Sequence, residues 1–216
     1  MTSHRMAKPG PDAALLVVDV QNSFTPGGSL AVNQGDEIIP LVNRLARHFQ
    51  NVILTQDWHP AGHISFASSH RGKQPFQTIG LPYGPQVLWP DHCVQGSDGA
   101  AFHAGLDIPH AQLIIRKGIH PHVDSYSAFL EADRVTRTGL DGYLASRGIT
   151  TIYLAGLATD FCVAWSALDA RAFGLQTIVI EDACRGIDTN GSLATAWQSM
   201  TAAGVVRRQS GNLDAA

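Results

Sequence analysis

The sequence contains no apolar run approaching the roughly 20 residues that cross a bilayer. Residues 1–11 are polar and carry no apolar signal-peptide core. Membrane insertion and secretion are therefore not expected. Cysteine is scarce: three in 216 residues make no disulfide framework, and the odd count leaves at least one thiol free. That pattern fits a reducing cytoplasm. Clustered basic charge is also missing. Lys and Arg number 15 against 18 Asp and Glu, a net charge of −3, with no block of one sign. Nucleic acid is excluded as a main partner, because neutralising phosphates needs grouped Lys and Arg. No repeat, linker or low-complexity segment interrupts the chain. The expectation is a short disordered lead over residues 1–12 and one globular domain over 13–216, long enough for one substantial core.

What is present is an alternation of strands and helices. Residues 13–20 (AALLVVDV) are almost continuously apolar, as expected of a strand buried on both faces. Residues 36–50 place apolar side chains at a helical period, with Asp36 as a candidate cap. Further strands are expected at 51–55, 113–116, 151–154 and 176–180, and a short last one at 205–206. Further helices are expected at 138–147, 163–173 and 191–203. Between them, residues 58–109 are rich in Gly, Pro, Ser and His and show little periodicity, and so long a loop is rare unless it builds a site. The alternation predicts an α/β fold: one doubly wound, mostly parallel sheet flanked by helices.

In such a sheet the C-terminal strand ends share one side, and ligands bind in the crevice there. Asp19, Asp57, Lys117 and the turn carrying Cys162 all fall at predicted strand ends. The stretch LAGLATDFC (154–162) reads as strand, tight small-residue turn and helix start. A thiol at a helix N-terminus is drawn toward thiolate, and free N–H groups beside it suit an oxyanion. A buried Cys acting as a small hydrophobe is the competing reading. With Asp19 as base and Lys117 as counter-charge, Cys162 becomes a workable nucleophile. Cys93, in the loop beside His92, is open to a ligand or structural role, and Cys184 follows Asp182 and Ala183 at the end of the fifth strand; both are weaker nucleophile candidates.

Ten His are present, seven of them between His59 and His120. Asp57 and His59 are alternate residues of an extended segment, so they share a face. His63 and His92 are further candidates from the same loop. Imidazole with carboxylate suits zinc, iron or manganese; the alternative is a loop tied by His–carboxylate hydrogen bonds.

The motifs DVQNSF (19–24), GGSL (27–30), QDWHP (56–60), HISFA (63–67), WPDHCV (89–94), RKG (116–118), DSYSAF (124–129) and GLATDFCV (156–163) resemble those of the nicotinamidase/pyrazinamidase branch of the isochorismatase-like cysteine hydrolases. The resemblance spans residues 15–206. It implies Asp19, Lys117 and Cys162 as catalytic residues, and Asp57, His59 and His92 as ligands of one divalent metal ion, with His63 coordinating in some members only. It implies ring contacts from Phe24, Trp89 and Tyr126, and a cis peptide at Leu157–Ala158 that presents the Ala158 and Cys162 N–H groups to the substrate oxygen. It further implies hydrolysis of nicotinamide to nicotinate and ammonia in pyridine-nucleotide salvage, and a family that often self-associates. Two other readings compete: a different amide, carbamoyl or vinyl-ether hydrolase of the superfamily, and a non-catalytic metal- or redox-sensing protein.

Overall fold

The computed structural model describes residues 9–212. Six strands form one sheet: β1 (Ala13–Val18), β2 (Asn51–Asp57), β5 (Leu113–Lys117), β6 (Thr151–Leu157), β7 (Gln176–Arg185) and β8 (Val206–Arg208). Their order is β5–β2–β1–β6–β7–β8, and every pairing is parallel. The chain winds outward from β1 through β2 to β5. It then returns to β6 beside β1 and winds out the other way. The direction reverses between β1 and β6, and a doubly wound sheet opens its ligand crevice at that point.

The continuous apolarity of β1 is explained by its two neighbours in depth. Ala13, Leu15 and Val17 join the core on one face, with Ile39, Val42 and Leu45 of α1 (Ile39–Ala46). Ala14, Leu16 and Val18 join the other. There they pack with Leu140 and Leu144 of α2 (Leu140–Ser146), Ala167 and Ala170 of α3 (Ala164–Ala172), and Met200 of α4 (Ser192–Ala202). Both faces of the strand are dry, so no polar alternation is possible.

The structure shifts the expected boundaries: β1 stops at Val18, short of the expected residue 20, and β8 starts at Val206 rather than at 205. Other strands run further than their apolar runs: β2 to Asp57, β6 to Leu157 and β7 to Arg185, so Cys184 lies within β7. Helices are shorter than their periodic stretches. Asp36 is not a side-chain cap; its carbonyl accepts from Ile39 N–H in the turn before α1. The long loop holds an unforeseen antiparallel hairpin, β3 (Thr78–Leu81) with β4 (Gly84–Val87). Of the expected N-terminal lead, residues 1–8 lie outside the described residues. Residues 10–12 form a turn in which the Asp12 carbonyl accepts from Thr150 and Thr151 N–H at 2.9 and 3.2 Å. Among the described residues no helix is long and apolar enough to cross a membrane.

One glycine lets the two central strands close up. Gly156 has φ +125°, and a Cβ on it would lie 2.1 Å from the Val18 carbonyl oxygen. Gly156→Ala combines a forbidden backbone region with a backbone clash. It is expected to cost about 2–5 kcal/mol, read as a lowered midpoint in thermal or denaturant unfolding. An unchanged midpoint would contradict the tight β1–β6 approach.

Candidate active site

Four side chains from four strand ends meet at the reversal point. Asp19 follows β1, turning out of the sheet with φ 48°. Asp57 closes β2 and Lys117 closes β5, and these two are direct register partners. Cys162 follows β6. The Lys117 ammonium is the hub: Nζ lies 2.7 Å from Asp19 Oδ2 and 2.8 Å from Asp57 Oδ1, 3.3 Å from the Ser125 carbonyl oxygen and 3.4 Å from Cys162 Sγ. Its side chain is wholly buried. A charge removed from water must be matched by opposite charge at contact distance, and two carboxylates provide that.

Thr55 of β2 fixes the other edge of Asp19. Its hydroxyl donates to Asp19 Oδ1 at 2.6 Å and accepts from the Asp19 backbone N–H at 3.1 Å. Burial raises the Asp19 pKa, against the pull of Lys117. Burial also works against ionisation of Asp57, but His59 and Lys117 outweigh it and hold that carboxyl well below its ordinary value. Lys117 titrates well above the usual lysine range; burial opposes this, but Asp19 and Asp57 prevail.

Cys162 departs from expectation. It lies within a π-helical turn (Thr159–Val163) that precedes α3, where the Ala158 carbonyl accepts from both Phe161 and Val163 N–H at 3.1 Å. Burial pushes its thiol well above the ordinary value, Asp19 and Asp57 add to this, and Lys117 only partly offsets them. The resting group is therefore a thiol. Desolvation by burial outweighs whatever the helix terminus contributes. The Leu157–Ala158 peptide is cis.

Beside this group lies a second one. Asp57 Oδ2 is 3.0 Å from His59 Nε2 and 3.3 Å from His92 Nε2. Each ring is anchored through its other nitrogen, His59 Nδ1 to the Gly118 carbonyl at 3.0 Å and His92 Nδ1 to the Pro90 carbonyl at 2.8 Å. Each Nδ1 donates to its carbonyl and each Nε2 points at the carboxylate; burial works against charging His59, but Asp57 outweighs it and raises its pKa. Backbone-anchored imidazoles of this kind are what a metal site requires, and the donor set fits a divalent cation. His63 is placed differently. Its Nε2 lies 3.0 and 3.2 Å from the His120 and Val123 carbonyls and its Nδ1 2.7 Å from Ser65 Oγ. Both nitrogens are thus engaged with protein, and burial together with His59 pushes its pKa down to about 4.

A narrow cavity joins the two groups. Cys162, Asp57, His59 and His92 line it together with Phe24, Trp89, Tyr126 and Ala158. Trp89 Nε1 donates to the Tyr126 hydroxyl at 2.9 Å, which fixes two aromatic walls against each other. The structure adds wall residues to which the sequence reading gave no role: Phe161, Asp124, Ser125, Leu30 and Ile187. Phe161 packs edge-on against Trp89, with centroids 4.8 Å apart; its place next to Cys162 was the available signal. Asp124 Oδ2 accepts from Gln86 Nε2 at 2.6 Å. Cys93 lies outside this cavity, buried in the loop near the Gly99 carbonyl.

Strand order and the groups at the reversal point define the class: a doubly wound α/β protein whose ligand crevice combines a buried thiol, a carboxylate and an ammonium with an Asp–His–His cluster. The chain belongs to the isochorismatase family, whose Isochorismatase domain matches residues 13–210. It is similar to the nicotinamidase of Acinetobacter baylyi, with 63% identity over 206 residues covering 95% of this chain and 96% of that one. Among solved structures, the Acinetobacter baumanii nicotinamidase/pyrazinamidase superposes with a TM-score of 0.95 at 66% identity, covering 95% of this chain and 100% of that one. The pyrazinamidase of Pyrococcus horikoshii in complex with zinc does so with a TM-score of 0.76 at 36% identity, covering 92% and 99%.

Gly118 supplies a test of the Asp–His–His cluster. Its φ is +67°, and a Cβ there would lie 2.4 Å from His59 Cε1. Gly118→Ala must push the His59 ring off its anchor. Divalent-metal affinity, measured by titration calorimetry, is expected to fall about 10–100-fold; unchanged affinity would remove His59 from the ligand set.

Proposed function

We propose that this protein is a nicotinamidase, hydrolysing nicotinamide to nicotinate and ammonia and accepting pyrazinamide as well, through a thioester on Cys162. The observation that carries this reading is one aromatic-walled cavity that brings the Cys162 thiol, backed by Asp19 and Lys117, together with the Asp57–His59–His92 cluster. The high identity to a nicotinamidase along nearly the whole chain supports it. The three free cysteines suit the reducing cytoplasm in which pyridine nucleotides are salvaged.

The steps follow from the resting charges. The Asp19 carboxyl contacts the Lys117 ammonium, and burial raises the pKa of both Asp19 and Cys162. The proton moves from Sγ to the Asp19 carboxylate as sulfur attacks the carboxamide carbon. Lys117 stays charged throughout and balances the negative charge wherever it sits. The Ala158 and Cys162 N–H groups receive the oxyanion; one such donor is typically worth about 2.7–4 kcal/mol of barrier. As the C–N bond breaks, Asp19 gives its proton to the departing nitrogen, releasing ammonia. Water then attacks the thioester carbon while Asp19 takes a proton from it, and Asp19 returns that proton to the departing sulfur, restoring the thiol and the carboxylate. Phe24, Trp89 and Tyr126 hold the ring. Asp57, His59 and His92 would hold a divalent cation, zinc, iron or manganese, which supplies a Lewis-acid contact for the pyridine nitrogen.

Ammonia release from nicotinamide is the direct assay. Cys162→Ala is expected to abolish it while nicotinamide still binds, because the walls and the cluster remain; loss of binding in a folded variant would refute this division of roles. Chelation is expected to remove activity and an added divalent ion to restore it. Full activity in a verified metal-free sample would overturn the metal assignment.

The pH profile tests the base. Ionised Asp19 is required, and burial raises its pKa, so kcat/KM is expected to fall on the acid side at a pH above the ordinary carboxylate range. Thr55→Val removes a hydrogen bond to the ionised form, raises that pKa further and moves the acid limb to higher pH. Thr55→Ser keeps the hydroxyl and should leave the limb in place. An acid limb unmoved in Thr55→Val would exclude Asp19 as the titrating base.

A further inference from the structure

Asp160 precedes the nucleophile by two residues, is buried, and takes no part in the steps above. Its carboxylate is turned away from Lys117 toward a segment 27–32 residues further along the chain. Oδ1 accepts from the Ile187 backbone N–H at 2.9 Å. Oδ2 accepts from the Asp188 N–H at 2.9 Å and from the Ser192 hydroxyl at 2.5 Å. Among the described residues no Lys or Arg forms an ion pair with it, so these donors and the N-terminal end of α4 answer its charge.

The segment it holds is short and conformationally demanding. Asp188 and Asn190 are non-glycine residues with φ of 55° and 54°, a region few side chains adopt unless neighbouring bonds impose it. A Cβ on Gly186 would lie 3.1 Å from Asp160 Oδ1 and 2.9 Å from Leu193 Cδ1, so the segment passes close over the carboxylate. Ile187, bonded directly to Asp160, is a wall of the cavity that Cys162 also lines.

We propose that Asp160 is a positioning residue for the reaction: it clamps the nucleophile turn to the 186–192 segment and so sets the distance between the Cys162 thiol and the Ile187 wall that confines the substrate ring. The kinetic part of this rests on the nicotinamidase reading; the clamp itself does not. A carboxylate with three donors is the group for this task, since an amide at the same place would turn its own N–H toward a donor.

The test compares Asp160→Asn and Ser192→Ala in the full-length protein, by amide hydrogen exchange and by kinetics with nicotinamide. In Asp160→Asn, exchange at Ile187 and Asp188 should quicken by about tenfold or more, as expected for losing charge-assisted bonds. KM should rise and kcat fall together, because both the ring wall and the thiol turn are released. Ser192→Ala, which removes one donor outside the cavity, should move the same quantities in the same direction by less. The double variant should be less than additive. A lowered unfolding midpoint with unchanged KM and kcat would reduce Asp160 to a structural residue and overturn the proposal, as would unchanged exchange at Ile187 and Asp188. If Asp160→Asn does not fold, Ser192→Ala decides by the same measurements. A wild-type protein that releases no ammonia from nicotinamide would refute the substrate reading and leave the exchange result to judge the clamp.

Discussion

The buried Lys117 ammonium is the constraint on which the site depends. A wholly buried cation is tolerated only with opposite charge in contact, and Lys117 has two carboxylates, one on each side. This ties the thiol group and the Asp–His–His group into one electrostatic unit. Burial holds the proton on the Cys162 thiol despite an ammonium 3.4 Å away, and the negative charge of the two carboxylates adds to that. The site does not store a thiolate. It holds a carboxyl of raised proton affinity beside a thiol of raised pKa.

The positions of these groups come from sheet register rather than from loops. Asp57 and Lys117 are direct partners across β2 and β5, and Val18 and Gly156 across β1 and β6. Asp19 and the π-helical turn are therefore one or a few residues from fixed ladder points. Asp57 and Lys117 inherit the rigidity of the ladder, whereas Phe24, Trp89 and Tyr126, aromatic walls of the cavity, come from the connecting segments. On the proposed reading, chemistry and ring recognition are carried by different parts of the fold.

That division also explains what the sequence made legible. Strand cores such as LLVV and NVIL were readable because both faces of the sheet are dry, and Asp19, Asp57 and Lys117 were locatable because each lies at or just beyond the end of such a run. The ends were not. Ala155, Gly156 and Leu157 continue β6, and Cys184 and Arg185 end β7, because neighbouring strands pair with them, not because their residue types favour strand. The hairpin β3–β4 contains Gly80 opposite Pro85, which hides it from any periodicity. Thr55 was visible only as a strand residue, since the carboxylate it holds is 36 positions away.

The thiol shows most clearly why local reading is insufficient. A Cys after a small-residue turn, ahead of a helix, implies a lowered pKa when only the helix terminus is considered. The macrodipole effect is worth typically 0.3–1 kcal/mol, up to about 2 kcal/mol in partly buried geometries, whereas full burial can move a titration by as much as about 3–5 units. Burial therefore decides the sign, and burial depends on residues such as Tyr126 and Ile187, which line the same cavity as Cys162 and lie outside the turn. Asp160 belongs to the same lesson. Its partners are mostly backbone N–H groups, which every residue but proline has, so no residue type marks them in advance. What marks them is the folded path of the chain, which returns Ile187 to the edge of a cavity that Cys162 already lines and leaves one buried carboxylate to join the two.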